Sequence, residues 1–282
     1  MVIGDLLKTA ANRLGDGTGD SYNEALVLLT IVLDCSKTYI YVNKNAEVSE
    51  EDTNKYFGYV QRRTDGEPIA YIAGRAWFMS HEFIVSPAVL VPRPETEGLV
   101  ERAADLIKNE YSGSAMVLDL CTGSGCIGLS LASMFNDLKV HLSDIDEGAL
   151  AIARMNTEKL GLLNRVAAIK SNLFESLGEY KYELILSNPP YVAEGDSIHL
   201  EEAVRRHEPA IALFGGQDGY SFYRRIARES GSYLKPEGYL ILEAGISQAE
   251  GITAILTGNG FIIVDIKNDI NGIPRTITAK KI

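Results

Sequence analysis

A chain of 282 residues with 46% hydrophobic and 23% charged residues is long enough to bury an ordinary core and too apolar for disorder. Its formal net charge of −11 argues against a surface built to neutralise phosphates, so broad nucleic-acid binding is disfavoured. The longest apolar stretches, such as residues 25–33, fall well short of the roughly 20 residues a membrane-spanning helix needs.

Residues 1–63 read as helices. "DLLKTAANRL", "YNEALVLLTIVL" and "EEDTNKYFGYVQRR" carry apolar residues at three- and four-residue steps, and "GDGTGDS" at 15–21 has turn composition. Ser49 ahead of Glu50, Glu51 and Asp52 predicts an N-cap followed by acids that suit the positive end of a helix dipole. The N-terminus carries acids early and lacks the basic and uninterrupted apolar regions of a secretory signal. The cysteines, Cys35, Cys121 and Cys126, show no metal-type spacing beyond one C-x4-C inside a glycine loop. A cytoplasmic protein with free buried thiols and no bound metal is the expectation.

"TDGEP" at 64–68 is turn chemistry, and "EFIVSPAVLVPRPETE" at 82–97 alternates short β-like runs with prolines, as an extended connector does. The organisation expected is a helical domain over 1–80, a connector over 81–95 and a larger domain over 96–282. The latter opens with a helix that places Leu99, Ala103, Leu106 and Ile107 on one face. Strands are expected at 116–120, 138–143, 166–169, 183–187, 238–243, 261–267 and 274–281. Helical patterns between the first five predict a largely parallel sheet covered on both faces, with an antiparallel pair at the end. The fold class is α/β: a seven-stranded mixed sheet of Rossmann-like type with a small all-helical N-terminal domain.

"DLCTGSGCIG" at 119–128 follows the first strand of this domain and opens a helix, the context a nucleotide-binding loop needs. Gly123, Gly125 and Gly128 let backbone approach a ligand closely. Asp144, about twenty residues past the loop, ends the next strand, where a carboxylate accepts bonds from ribose hydroxyls. Asp119 either faces a cation or holds the loop by hydrogen bonds to its N–H groups; a sulfonium or ammonium suits its charge, whereas a diphosphate does not.

"LSNPPYV" at 186–192 ends the fourth strand with two prolines, which cannot donate to a continuing sheet. In a doubly wound order the first strand lies beside the fourth, so the glycine loop and Asn188, Pro189, Pro190 and Tyr191 face each other across one cleft. Together "DLCTGSG", Asp144 and "NPPY" resemble class I S-adenosylmethionine-dependent methyltransferases that act on amide or exocyclic amino nitrogens. "GEPIAYIAGRAWF", "FIVSPAVLVPRPETEGLVE" and "HEPAIALFGGQDGYSFYRRI" extend the resemblance to the HemK-type glutamine methyltransferases of peptide chain release factors.

That resemblance implies that Cys121, Thr122, Gly123, Ser124 and Gly125 line the cofactor loop and that Asp144 holds the ribose. Asn172, where the family usually has an aspartate, and Leu173 then meet the adenine. The product is S-adenosylhomocysteine, and the partner is a class 1 release factor, gripped by the helical domain. A glutamine amide is a weak nucleophile, since its lone pair is delocalised into the carbonyl. Asn188 Oδ1 and the Pro189 carbonyl can each accept one N–H of that amide and so aim its lone pair, with the Tyr191 ring against its plane.

An adenine-N6 or other nucleic-acid amino methyltransferase shares "NPPY", and ribosomal-protein glutamine methyltransferases share the fold. A dinucleotide oxidoreductase is suggested only by the literal G-x-G-x-x-G, and a noncatalytic module of the same fold is the remaining class. His81, His141, His199 and His207 show no relay pattern with a nucleophile. Arg93 of "PRPETE" reads as a connector salt bridge, with a role on the substrate side implied by the family, and Glu208 borders the cleft.

Overall fold

The computed structural model describes residues 1–15 and 20–281, in two units: Met1–Gly74 together with Glu201–His207, and Arg75–Leu200 together with the chain from Glu208 onward. Most of the turn-like "GDGTGDS" stretch, residues 16–19, lies outside the described residues.

In the first unit, α1 (Ile3–Leu14), α2 (Ser21–Leu33), α3 (Lys37–Val42), α4 (Glu50–Thr64) and α5 (Ile69–Ala73) enclose a core that includes Leu6, Leu26, Leu29, Ile40 and Tyr56. The Ser49 cap forms as its sequence predicts: its hydroxyl accepts from Asp52 N at 3.0 Å. Glu24 on α2 receives a two-pronged ion pair from Arg63 on α4, at 3.0 and 2.8 Å, and the buried Tyr56 hydroxyl donates to the Ala25 carbonyl at 2.9 Å.

The second unit begins with a hairpin of β1 (Arg75–Phe78) and β2 (His81–Ile84), so the expected connector starts inside a strand. A 3-10 turn (Pro94–Thr96) then leads into α6 (Glu97–Glu110), whose Leu99, Ala103, Leu106 and Ile107 are all buried. There follow β3 (Met116–Leu120), α7 (Cys126–Met134), β4 (Lys139–Asp144), α8 (Glu147–Lys159), β5 (Val166–Lys170) and β6 (Tyr182–Ser187). After α9 (Glu202–His207), which belongs to the first unit, come α10 (Ala210–Leu213), α11 (Ser221–Ser230), β7 (Leu234–Glu243), α12 (Ala249–Gly258), β8 (Phe261–Asn268) and β9 (Pro274–Lys281).

The sheet order is β5-β4-β3-β6-β7-β9-β8, parallel through β7, with β9 antiparallel to both its neighbours. The antiparallel pair is therefore not simply appended: β9 inserts between β7 and β8. The central strands are apolar on both faces because helices cover both. Val117, Val140 and Leu186 meet α6 and α7 on one side, while Leu118, Ile185 and Leu240 meet Tyr223, Ile226 and Ile252 on the other. Among the described residues no helix is long and apolar enough to cross a membrane.

One glycine of the loop is a packing glycine. A Cβ on Gly128 would lie 2.5 Å from Leu142 Cδ2 and 2.9 Å from Val140 Cγ1, so α7 rests directly on the sheet. Gly128→Ala is expected to lower stability by about 1–3 kcal/mol through overpacking. Thermal denaturation checks this, and an unchanged midpoint would refute it.

Candidate active site

Leu120 on β3 pairs with Ser187 on β6, so the glycine loop and Asn188 each begin one residue past the same rung. Asp119 lies beneath the loop, fully buried. Its Oδ2 accepts from Thr122 Oγ1 at 2.6 Å and from Gly128 N at 2.9 Å, while its Oδ1 is buried without a partner among the described residues. Burial raises its pKa to about 7, opposed by these two bonds. Loop-holding is thus realised at one of the two carboxylate oxygens.

The loop itself uses left-handed backbone at Cys121 (φ 61°), Gly123 (φ 53°) and Gly125 (φ 83°). Asp144 Oδ2 accepts from Gly123 N at 2.9 Å and its Oδ1 from Asp146 N at 3.0 Å. Burial raises the Asp144 carboxyl above its ordinary value. From α8, the buried Asn156 donates to Ser124 O at 2.9 Å and Ile84 O at 3.0 Å and accepts from Ile84 N at 2.7 Å, tying the loop to β2. Asn156→Ala leaves three backbone groups unpaired, a loss expected to cost about 2–4 kcal/mol in denaturant unfolding. A loss of under about 1 kcal/mol would refute that role.

A cavity of about 1020 Å³, counted with its open mouth, occupies this end of the sheet. Cys121, Thr122, Gly123, Ser124, Asp144, Asn172, Leu173, Asn188 and Pro190 all stand on its wall. Gly125 is not on that wall, Pro189 is buried, and Tyr191 faces a second cavity with Gln248 and Arg275. Asn172 is held at both ends of its amide, donating to Glu175 at 2.9 Å and accepting from Arg225 at 3.1 Å. The wall also includes Thr96, Ile145 and Phe222, which sequence reasoning missed. Thr96 and Phe222 sit inside "PRPETE" and "SFYRRI", but nothing in those strings distinguishes them from their neighbours.

The chain after Pro190 is gripped from outside. Val192 N donates to Leu213 O at 2.9 Å, Gly215 N donates to Val192 O at 2.8 Å, and Gln248 Nε2 donates to Tyr191 O at 3.1 Å. Glycines permit this closeness: a Cβ on Gly215 would lie 2.6 Å from Pro190 O, and one on Gly245 would lie 2.8 Å from the Tyr191 ring. Burial pushes the Tyr191 phenol up to about 12, so it stays neutral. Asn188 donates through Nδ2 to Thr96 Oγ1 at 3.2 Å, which leaves Oδ1 for the cavity.

Arg93 on the cavity wall forms an ion pair with the buried Glu208 at 2.5 Å, the connector salt bridge expected for it. Cys126 is buried, whereas Cys35 and Cys121 are only half-buried, a correction to the expectation of three buried thiols; all three are free. Burial raises Cys126 to about 12 and lifts Cys121 far above its ordinary value, so both keep their protons and neither is a thiolate nucleophile. His141 is buried against the Tyr182 hydroxyl at 2.9 Å, a structural contact.

Residues 5–74 match the family model for the PrmC N-terminal domain and residues 100–206 that for the methyltransferase small domain. The chain is 37% identical to the release factor glutamine methyltransferase of Clostridium acetobutylicum, across 99% of this chain and 98% of that one. It is 35% identical to the enzyme of the same name from Clostridium botulinum, across the whole of both. Among solved structures, the hMettl16 catalytic domain, in complex with MAT2A 3'UTR hairpin 6, superposes with a TM-score of 0.57 at 16% identity, covering 85% of this chain and 86% of that one. At that identity the likeness concerns the methyltransferase fold alone.

Proposed function

Because the chain belongs to the release factor glutamine methyltransferase family, we propose that it methylates the side-chain nitrogen of the glutamine in a glycine-glycine-glutamine loop of a class 1 peptide chain release factor, using S-adenosylmethionine, in the cytoplasm. The observation that carries the chemistry is the shared rung: Asn188 and the glycine loop start one residue past Ser187 and Leu120 and meet on one cavity wall.

The wall suits the methyl donor. Asp144 offers carboxylate oxygens to ribose hydroxyls, and Ile145, Leu173 and Phe222 offer apolar faces to adenine. Asp119, beneath the loop and off the wall, supplies negative charge with an oxygen that has no partner among the described residues, which favours a cationic ligand over a diphosphate. When bound there, S-adenosylmethionine supplies an electrophilic methyl group on sulfur.

The remaining work falls to the clamp. Asn188 Oδ1 and the Pro189 carbonyl accept the two N–H groups of the glutamine amide, which turns the nitrogen lone pair toward the donor and stabilises charge as it develops on nitrogen. Proline fixes φ, and the bonds to Val192 and from Gln248 hold the following backbone, so the acceptors are in place before substrate arrives. Tyr191 lines the second cavity and not this wall, so the clamp is assigned to Asn188 and the Pro189 carbonyl without its ring. The donor carbon is already electrophilic, so no metal is called upon, and turnover is expected to survive a chelator. The helical N-terminal unit is assigned to binding the release factor.

The test is incubation with labelled S-adenosylmethionine and purified release factor, wild type beside a variant with alanine for the loop glutamine. Label confined to the wild type is the expected result, and equal labelling of both would overturn this reading.

A further inference from the structure

We infer that Arg225 and Glu175 are positioning residues that lock the Asn172 side-chain amide in one orientation, and that the locked amide makes the cavity select adenine over hypoxanthine; this rests on reading the cavity as an S-adenosylmethionine site. The cavity runs across the carboxyl ends of neighbouring strands in the order β5-β4-β3-β6. Asn188 follows β6, and Asp144 ends β4. Lys170, the last residue of β5, pairs with Asp144, and Ser171 N donates to the Asp144 carbonyl at 2.9 Å. Asn172 therefore stands on the far side of Asp144 from Asn188, and three strand spacings put roughly 14 Å between the two asparagines. Ile145, Leu173 and Phe222 make the wall apolar, so the polar edge of a base held there meets Asn172.

Asn172 belongs to a closed ring of three polar side chains. Arg225 on α11 donates to Asn172 Oδ1 at 3.1 Å, Asn172 Nδ2 donates to Glu175 Oε1 at 2.9 Å, and Arg225 returns to the same Glu175 oxygen at 3.5 Å. Glu229, one turn further along α11, adds a second carboxylate to the guanidinium at 3.8 Å. A guanidinium only donates and a carboxylate only accepts. Turning the amide over would set its NH2 group against Arg225 and its oxygen against Glu175, so both neighbours oppose the flip. Of the two arms Arg225 is the better shielded from solvent, with a side chain 33% exposed against 60% for Glu175. Each end of the amide keeps one valence free, a lone pair on Oδ1 and an N–H on Nδ2.

That remaining pair fits adenine. The adenine amino group donates beside a ring nitrogen that accepts, so Oδ1 takes an amino hydrogen while Nδ2 donates to the ring. Hypoxanthine carries a carbonyl in place of the amino group and a proton on the neighbouring ring nitrogen. Acceptor and donor exchange places on that edge, and the locked amide then sets oxygen against oxygen and N–H against N–H. An amide free to turn over would bind either base equally well. Selection therefore resides in the lock and not in the asparagine alone.

The experiment measures by calorimetry the dissociation constants of S-adenosylhomocysteine and of S-inosylhomocysteine, which differ only at the base. The wild type is expected to prefer the adenine ligand by about 10- to 100-fold, the scale of a two-point base contact. In the double variant Arg225→Gln with Glu175→Gln, each new amide can donate or accept, so Asn172 can turn over. The preference is expected to fall to within about threefold there, chiefly because S-inosylhomocysteine binds more tightly. Arg225→Lys, still a donor only, is expected to keep the preference. A wild-type preference below about threefold, an undiminished preference in the double variant, equal weakening of both ligands there, or a preference lost in Arg225→Lys would each overturn the inference. Failure of the wild type to bind S-adenosylhomocysteine at all would instead overturn the function it rests on.

Discussion

Asn188→Ala is expected to lower kcat by about 10²–10³, the loss typical when one preorganised group at a developing charge is removed. The affinity for S-adenosylmethionine should change by less than about threefold, because Asn188 occupies one position on a wall that Asp144 and the glycine loop largely form. The reasoning is differential: the Asn188 oxygen gains strength as positive charge grows on the substrate nitrogen, so its removal is felt in the transition state more than in the ground state. Asn188→Gln retains both functional groups one methylene further out and is expected to be nearly as slow, since it detaches the amide from Thr96 and misplaces the oxygen. Single-turnover kinetics beside calorimetry separates these effects. Near-normal turnover in either variant would remove the clamp from the mechanism.

The features legible in the sequence were those set by short-range pattern. Apolar runs of strand length separated by helical periodicity specify a parallel sheet, and right-handed crossovers then put β3 beside β6. Glycines and prolines at strand ends announce themselves, which is why the loop and "NPPY" stood out. What stayed hidden depended on contacts distant in sequence. β1 and β2 have four residues each and no clean alternation of burial, so no pattern marked them. The insertion of β9 between β7 and β8 is a choice of strand order that no local signal carries. Glu201–His207 groups with the N-terminal helices for the same reason. Thr96 and Glu243 look like ordinary polar residues in a connector and at a strand end. Only the fold buries both and brings Thr96 to Asn188.

Asp119→Asn should separate holding the loop from attracting a cation. The variant can keep an acceptor at the position of Oδ2 for Thr122 and Gly128, with its NH2 where Oδ1 lay. Loop geometry is retained and the charge is lost. Asp119 is not on the cavity wall, so its charge acts on the ligand from beneath the loop, and affinity for S-adenosylmethionine is then expected to fall by up to about 10-fold. Stability should respond to pH as well. The folded Asp119 carboxyl lies near 7 against an ordinary 3.8, so between these values the folded state binds more protons than the unfolded one. Wild-type stability therefore falls as pH rises through that window and recovers on acidification; this one group contributes on the order of 2–4 kcal/mol. Glu243, raised for the same reason, adds a slope of the same sign. In Asp119→Asn the gain in stability between about pH 8 and pH 5 should shrink by the Asp119 share, leaving the part that comes from Glu243. Unchanged cofactor affinity would assign Asp119 to the loop alone. An unchanged pH slope would show that its carboxyl does not titrate in that range. If both change together, the charge that costs the free enzyme stability is the charge that holds its cationic ligand.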